Sequence, residues 1–90
     1  MAHPAFVRAG AAALSILGQA ATLNGANAGR VHVARGVRLV LEDVEVTRDV
    51  ATVGLPANPR QGMTLVHPDG TFKLDVLIGD NGVNRRYILV

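Results

Sequence analysis

The sequence predicts a mainly β protein: a small antiparallel β-barrel or sandwich with a short N-terminal α-helix and a long middle loop. Three observations carry this. Phe72, Leu74, Val76 and Ile78 alternate with Thr71, Lys73, Asp75 and Leu77, the period-two pattern of a half-buried strand. Two turn signals bracket that strand. His67-Pro68-Asp69-Gly70 has the composition of a type I turn with a glycine bulge, and Asp80-Asn81-Gly82 contains Asn-Gly, the strongest short hairpin signal. The third observation is the β-branched bias of the middle of the chain, which suits a pleated surface.

The elements follow in order. Pro4 suits the first turn of a helix. Ala5 to Leu17 is rich in Ala and Leu, and Phe6, Ala9, Ala13, Ile16 and Leu17 share a face by 3–4 spacing. A short helix over roughly residues 4–16 is expected, with Gly18 as its stop. Residues 1–17 are thus read as an N-terminal helical segment and 18–90 as one β-barrel domain. The soft Ala/Leu face of the helix suits docking onto an adjacent subunit. Ala21-Thr22-Leu23 predicts a short strand, Gly25 to Gly29 a turn or loop, and Val31-His32-Val33 a second strand with the valines inward and His32 outward.

Residues 36–53 allow two readings. Val37, Leu39 and Leu41 alternate with Arg38, Val40 and Glu42, and Val44 and Val46 alternate with Glu45 and Thr47. This is one long bent strand or a hairpin turning near Glu42-Asp43. Gly54 to Gly62 carries Pro56 and Pro59 and reads as a loop. Met63 and Leu65 point one way on a further strand, and Arg86 to Val90 pairs back after the Asn-Gly turn. The sum is five to seven short strands, best closed on themselves because closure removes exposed edges.

Composition narrows the function classes. Ninety residues make one small domain with a modest core of its own. Nearly half the residues are apolar, yet only Phe6, Phe72 and Tyr87 are aromatic. Cysteine is absent, which removes a disulfide framework and Cys-based zinc and fits an intracellular origin. The net charge is +2, and eight of the nine basic residues are scattered Arg with only Arg85-Arg86 adjacent. A dedicated nucleic-acid binder shows a clustered basic stripe instead. Arg8 followed by Ala9 to Leu17, with Gly18-Gln19-Ala20, loosely matches a secretory signal. The apolar run is mostly Ala and Gly, and Phe6 and Val7 precede the charge, so the signal is the lesser reading. No stretch approaches the roughly 20 apolar residues of a membrane span.

The candidate chemistry is sparse. His3, His32 and His67 fit no metal-ligand spacing and read as surface histidines. Asp69, Asp75 and Asp80 do not match a calcium loop. Glu42, Asp43 and Glu45 are expected to be a solvated acidic run near a turn. Ser15, the sole serine, sits far from any histidine. Gly25 to Gly29 lacks the Gly-Lys-Ser/Thr ending of a phosphate loop. Arg85, Arg86 and Tyr87 could meet phosphates, but single-strand binding needs more aromatic platforms. The expectation is therefore no enzyme: no catalytic, cofactor-binding or metal-ligating residues, and no cofactor.

Three stretches carry a family resemblance: Ala21 to Gly25 (ATLNG) after the N-terminal segment, the strand from Arg30 into the middle segment ending at Arg48 to Ala57 (RDVATVGLPA), and Arg60 to Val90. With them the chain resembles the lambda-type bacteriophage head–tail joining (stopper, or head-completion) proteins. Met63 departs from the pattern, where many relatives have Asp. The resemblance implies a virion protein of the neck: a homo-oligomeric β-barrel ring, assembled in the host bacterial cytoplasm. Its partners would be a portal or adaptor ring on the head side and a tail terminator or tail tube on the tail side. Packaged DNA would pass through the bore without sequence-specific contact, and no membrane is involved. Arg35, Arg38 and Arg48 would face DNA or acidic neighbours. The alternatives are a tail-terminator or baseplate subunit, an OB-like nucleic-acid-binding barrel, and a secreted small β domain.

Overall fold

The computed structural model describes residues 18–90. The helix expected over residues 4–16 lies outside them. Six strands follow: β1 (Gln19–Leu23), β2 (Ala26–Leu41), β3 (Val44–Gly54), β4 (Thr64–His67), β5 (Gly70–Asp80) and β6 (Asn84–Leu89). Among the described residues the one helical element is the 3-10 turn Leu55–Ala57. All pairings are antiparallel, and the order β1-β2-β3-β6-β5-β4 returns to β1, so the sheet closes into a ring. That is a closed barrel rather than a sandwich.

Turn chemistry explains the connections. Asn24 and Gly25 both take positive φ (50° and 82°), as a two-residue type I′ hairpin requires. The turn is thus two residues long, and Ala26 to Gly29, expected as loop, already belong to β2. The residues there that read as loop formers are carried by a bulge: the β1–β2 register shifts between Ala21 and Thr22, and Gly29 has φ 70°. Residues 36–53 form the hairpin reading, turning at Glu42-Asp43 between β2 and β3. Pro68 and Asp69 join β4 to β5, and only Gly70 of that turn has positive φ. The β5–β6 connection is Asn81 to Val83, one residue longer than an Asn-Gly type I′ turn. Asn81 Oδ1 accepts from the N–H groups of Val83 (2.9 Å) and Asn84 (2.8 Å) and so rounds the bend.

The interior is filled by Ala21, Leu23, Ala28, Val31, Val33, Ala51, Val53, Leu65, Leu74, Tyr87 and Leu89, with Ala57, Met63 and Phe72 at its margin. Val31 and Val33 point inward and His32 outward, as the alternation requires. The β5 alternation does not run through. Register shifts between Leu74 and Leu77 and between Leu77 and Gly79 turn Val76 (44% exposed) outward. The loop Leu55 to Met63 folds over one mouth of the ring. Pro59 is fully buried there, and its carbonyl accepts from Tyr87 Oη (3.0 Å) and Arg85 Nη1 (3.0 Å).

Leu65 is fully buried on the shortest paired seam of the ring. Leu65→Ala is expected to lower stability by about 2–5 kcal/mol, read from the shift of the urea unfolding midpoint. A loss under about 1 kcal/mol would show that the seam does not share the core's packing.

Candidate interaction surface

The strands β2 and β3 are longer than the ring they build. β1 pairs with β2 only as far as Val31, and β6 pairs with β3 only from Val50 onward. Between these limits β2 and β3 pair with each other alone, from Val37↔Arg48 to Leu41↔Val44. The result is a two-stranded arm projecting from the ring. Among the described residues neither of its outer edges is paired. Isolated two-stranded ribbons are marginal in water, and open edges are templates for pairing.

Directly opposed residues share a face, as do residues two apart on one strand. Val37, Leu39, Leu41, Val44 and Val46 therefore lie on one side of the arm, with Arg48 at its base. Val44 is 59% exposed and the other four are half-buried. The opposite face carries Arg38, Glu45, Thr47 and Val40, the last 72% exposed. The apolar side runs on past the base: Val50 follows Arg48 by two, and its partners Ala34 and Ile88 lie beside it on the outer wall of the ring.

The base of the arm is a β-bulge. Ala34 pairs with Val50 and Val37 with Arg48, so Arg35 and Gly36 together oppose Asp49. Gly36 has φ 65°, a backbone conformation that side chains disfavour. Asp49 Oδ1 accepts from the Gly36 N–H (3.0 Å), and Oδ2 pairs with Arg35 Nε (2.9 Å). The Arg35 guanidinium in turn sits 5.7 Å from the centre of the Phe72 ring, on β5. One carboxylate thus holds both bulge residues and ties the arm to the wall. Arg35 is 59% exposed, so the pair contributes at most about 1 kcal/mol and serves mainly to aim the arm.

At the tip Glu42 and Asp43 both have positive φ (49° and 64°). This is type I′ geometry without the Asn-Gly that normally relieves it. Both carboxylates are exposed, as expected of a solvated acidic run, and Glu45 stands nearby with Arg38 Nε at 3.9 Å.

The remaining candidate residues take structural roles. His67 is not a surface histidine. It is buried, and its Nδ1 accepts from the Asp69 N–H (3.0 Å), which puts the proton on Nε2 and lets it donate to the Val31 carbonyl (3.0 Å). The turn at Pro68 brings that N–H back onto the ring, a contact invisible in residue spacing. His32 faces outward and does not join it; His3 lies outside the described residues. Asp69 is a turn residue and Asp80 is the last residue of β5, paired with Arg85. Among the described residues no cluster of three or more His, Asp or Glu could hold a metal ion. Tyr87 is in the core, and Arg85 covers the ring's mouth rather than ending a free strand. Arg86 is exposed beside a hollow lined by Thr52, Gly79, Asp80, Asn81 and Asn84, where the Asp80 carboxylate opposes any anion. Asp49, Pro59 and Asn24 matter and were not singled out by sequence. Only Asn24 had a readable signal, the Asn-Gly pair.

Asp80 Oδ1 accepts from the Gly82 N–H (2.9 Å) and Oδ2 from Arg85 Nε (3.0 Å). The backbone N–H first, and then Arg85, hold its carboxyl below the usual value, while the bond to Asp80 raises Arg85. A carboxyl lowered in the folded state stabilises above its unfolded pKa, about 3.9, and that contribution fades as pH falls through the folded value. Asp80→Asn should flatten the acid limb of the stability–pH curve slightly and leave neutral-pH folding intact. An unchanged acid limb would remove this pair from the account. At the arm, Glu42→Asn with Asp43→Gly should relieve the tip and slow amide exchange in residues 39–46 several-fold; unchanged exchange would mean that the tip geometry carries no strain.

No protein-family model matches the chain, and no curated protein matches it.

Proposed function

We propose that the protein is a structural, non-enzymatic component of a phage neck, forming a ring that joins the DNA-filled head to the tail and helps retain DNA. The arm is the observation that carries this reading. Among the described residues it is an extended hairpin with two unpaired edges and an aliphatic face. Such an element is a poor catalytic device and a good assembly device. A copy that receives the arm sideways would bury the exposed Val44 with the half-buried Val37, Leu39, Leu41 and Val46 and cap an edge by strand addition. Contacts of this head-to-tail kind close into rings when the rotation allows. The resemblance carried by Ala21 to Gly25, Arg48 to Ala57 and Arg60 to Val90 points the same way.

The portal or adaptor ring and the tail terminator or tail tube are the partners on this reading. The second reading, another tail or baseplate subunit, uses the same arm and differs only in position. An OB-like nucleic-acid binder has less support. Of its described aromatics, Tyr87 is in the core and Phe72 is engaged by Arg35, so neither is a free stacking platform.

Electron microscopy of lysates from the parent phage or prophage with this gene deleted tests the assignment. Filled or leaking heads beside complete free tails are the expected result. Tails of abnormal length, or none, would move the protein to the tail. Intact infectious particles would remove the virion reading. In that event a salt-dependent affinity for single-stranded DNA would be sought next.

A further inference from the structure

Among the described residues, the β2 edge of the arm has no paired strand from Val37 to Leu41. The tip is a two-residue turn, so Leu41 and Val44 exchange both backbone bonds, and bonded pairs recur at Leu39↔Val46 and Val37↔Arg48. The main-chain groups of Arg38 and Val40 therefore point away from β3, to the open edge. Arg38, Val40 and Glu42 are all exposed, Val40 at 72% and the Arg38 side chain at 84%. Side chains that exposed leave room for another strand beside them.

The order of residues on this edge is self-complementary. Laid antiparallel against a second copy about Val40, the segment sets Val40 against the partner's Val40 and Leu39 against the partner's Leu41. The same register sets Arg38 against the partner's Glu42. Aliphatic meets aliphatic, and each Arg38 meets a carboxylate. The β3 edge lacks this match: the register that would set Arg48 against the partner's Glu42 also sets Glu45 against Glu45. Size selects the antiparallel arrangement. Arms joined while pointing the same way would have axes about 10 Å apart, yet the molecule is 20 Å across in its thinnest direction. Antiparallel arms place the two rings at opposite ends.

We propose that this edge is a self-association site, where two copies join their arms through β2 into a four-stranded sheet about a two-fold axis at Val40. The joined sheet carries Val37, Leu39 and Leu41 of both copies on one face, and it exceeds the three strands that a free-standing sheet needs. The contact is small, so the dimer is weak. This proposal stands apart from the neck assignment, because it concerns the protein alone and leaves the β3 edge and the aliphatic face for a ring contact.

Sedimentation equilibrium of the full-length protein at rising concentration tests it. The mass should climb toward two chains and stop there. Arg38→Glu should weaken dimerisation by at least about ten-fold, since both symmetry-related pairs turn from attraction to repulsion. Adding Glu42→Arg to that variant should restore the dimer. The chain has no cysteine, so Val40→Cys should give a disulfide-linked dimer on mild oxidation, and Glu45→Cys should not. All four positions are exposed, so the variants keep the fold. A monomer at every concentration, a dimer indifferent to Arg38→Glu, or a reversal that Glu42→Arg does not rescue would overturn the proposal. So would growth beyond two chains with equal cross-linking from Val40→Cys and Glu45→Cys, which would mean another arrangement of the arms.

Discussion

Closure of the sheet is the constraint on which the rest of this structure depends, and it is made where the pairing is shortest. β1 and β4 share two register pairs, Thr22↔Val66 and Leu23↔Leu65. Two side chains reinforce that seam. Asn24 donates its N–H to the Thr64 carbonyl (2.9 Å), and its Oδ1 accepts from the Thr64 N–H (2.8 Å). His67 reaches across to Val31 on β2. Both act in ways that a ladder alone cannot, by giving partners to groups that the short strands leave over. Leu65 and Leu23 then bury beneath the seam, so hydrogen bonding and packing close the ring together.

A closed ring of this size has a small interior, filled mostly by Ala, Val and Leu. Its mouths need lids. The loop after β3 supplies one, with Pro59 pinned by Tyr87 and Arg85. The Arg85 that pins it is itself oriented by Asp80 across the β5–β6 turn. A side chain that read as a possible phosphate contact is thereby engaged in holding the loop over the core.

The same two strands serve the ring and the arm, and the bulge at Arg35-Gly36 divides the roles. Below it, β2 and β3 have interior and exterior faces and two neighbours each. Beyond it, among the described residues, they pair only with each other. The aliphatic side chains of the arm lie outside the core cluster, and the positive φ of Glu42 and Asp43 adds local cost. An element with so little intrinsic support is best understood through what it meets. The bulge makes that meeting directional, because Asp49 locks both of its residues and Arg35 leans on Phe72.

Much of the fold was legible in the sequence. Period-two alternation marks β3, β4 and the first half of β5, and Asn-Gly and Pro-Asp-Gly mark the turns, because backbone sterics act locally on a few residues. What the sequence by itself determined is a mainly β chain with turns at Pro68-Asp69 and after Asp80 and a middle stretch poor in chemistry; whether residues 36–53 form one bent strand or a hairpin at Glu42-Asp43 was decided by the tertiary structure. The sequence did not determine that Val76 faces outward, since bulges in β5 arise from fitting a strand to both neighbours of a curved sheet. Nor did it show that His67 is buried, that Asp49 holds the arm, or that Pro59 caps the ring. Those contacts join residues far apart in the chain, such as His67 with Val31 and Pro59 with Tyr87. Only closure of the sheet brings them within bonding distance, so only the tertiary structure could decide which polar groups serve the ring and which surface is left for a partner.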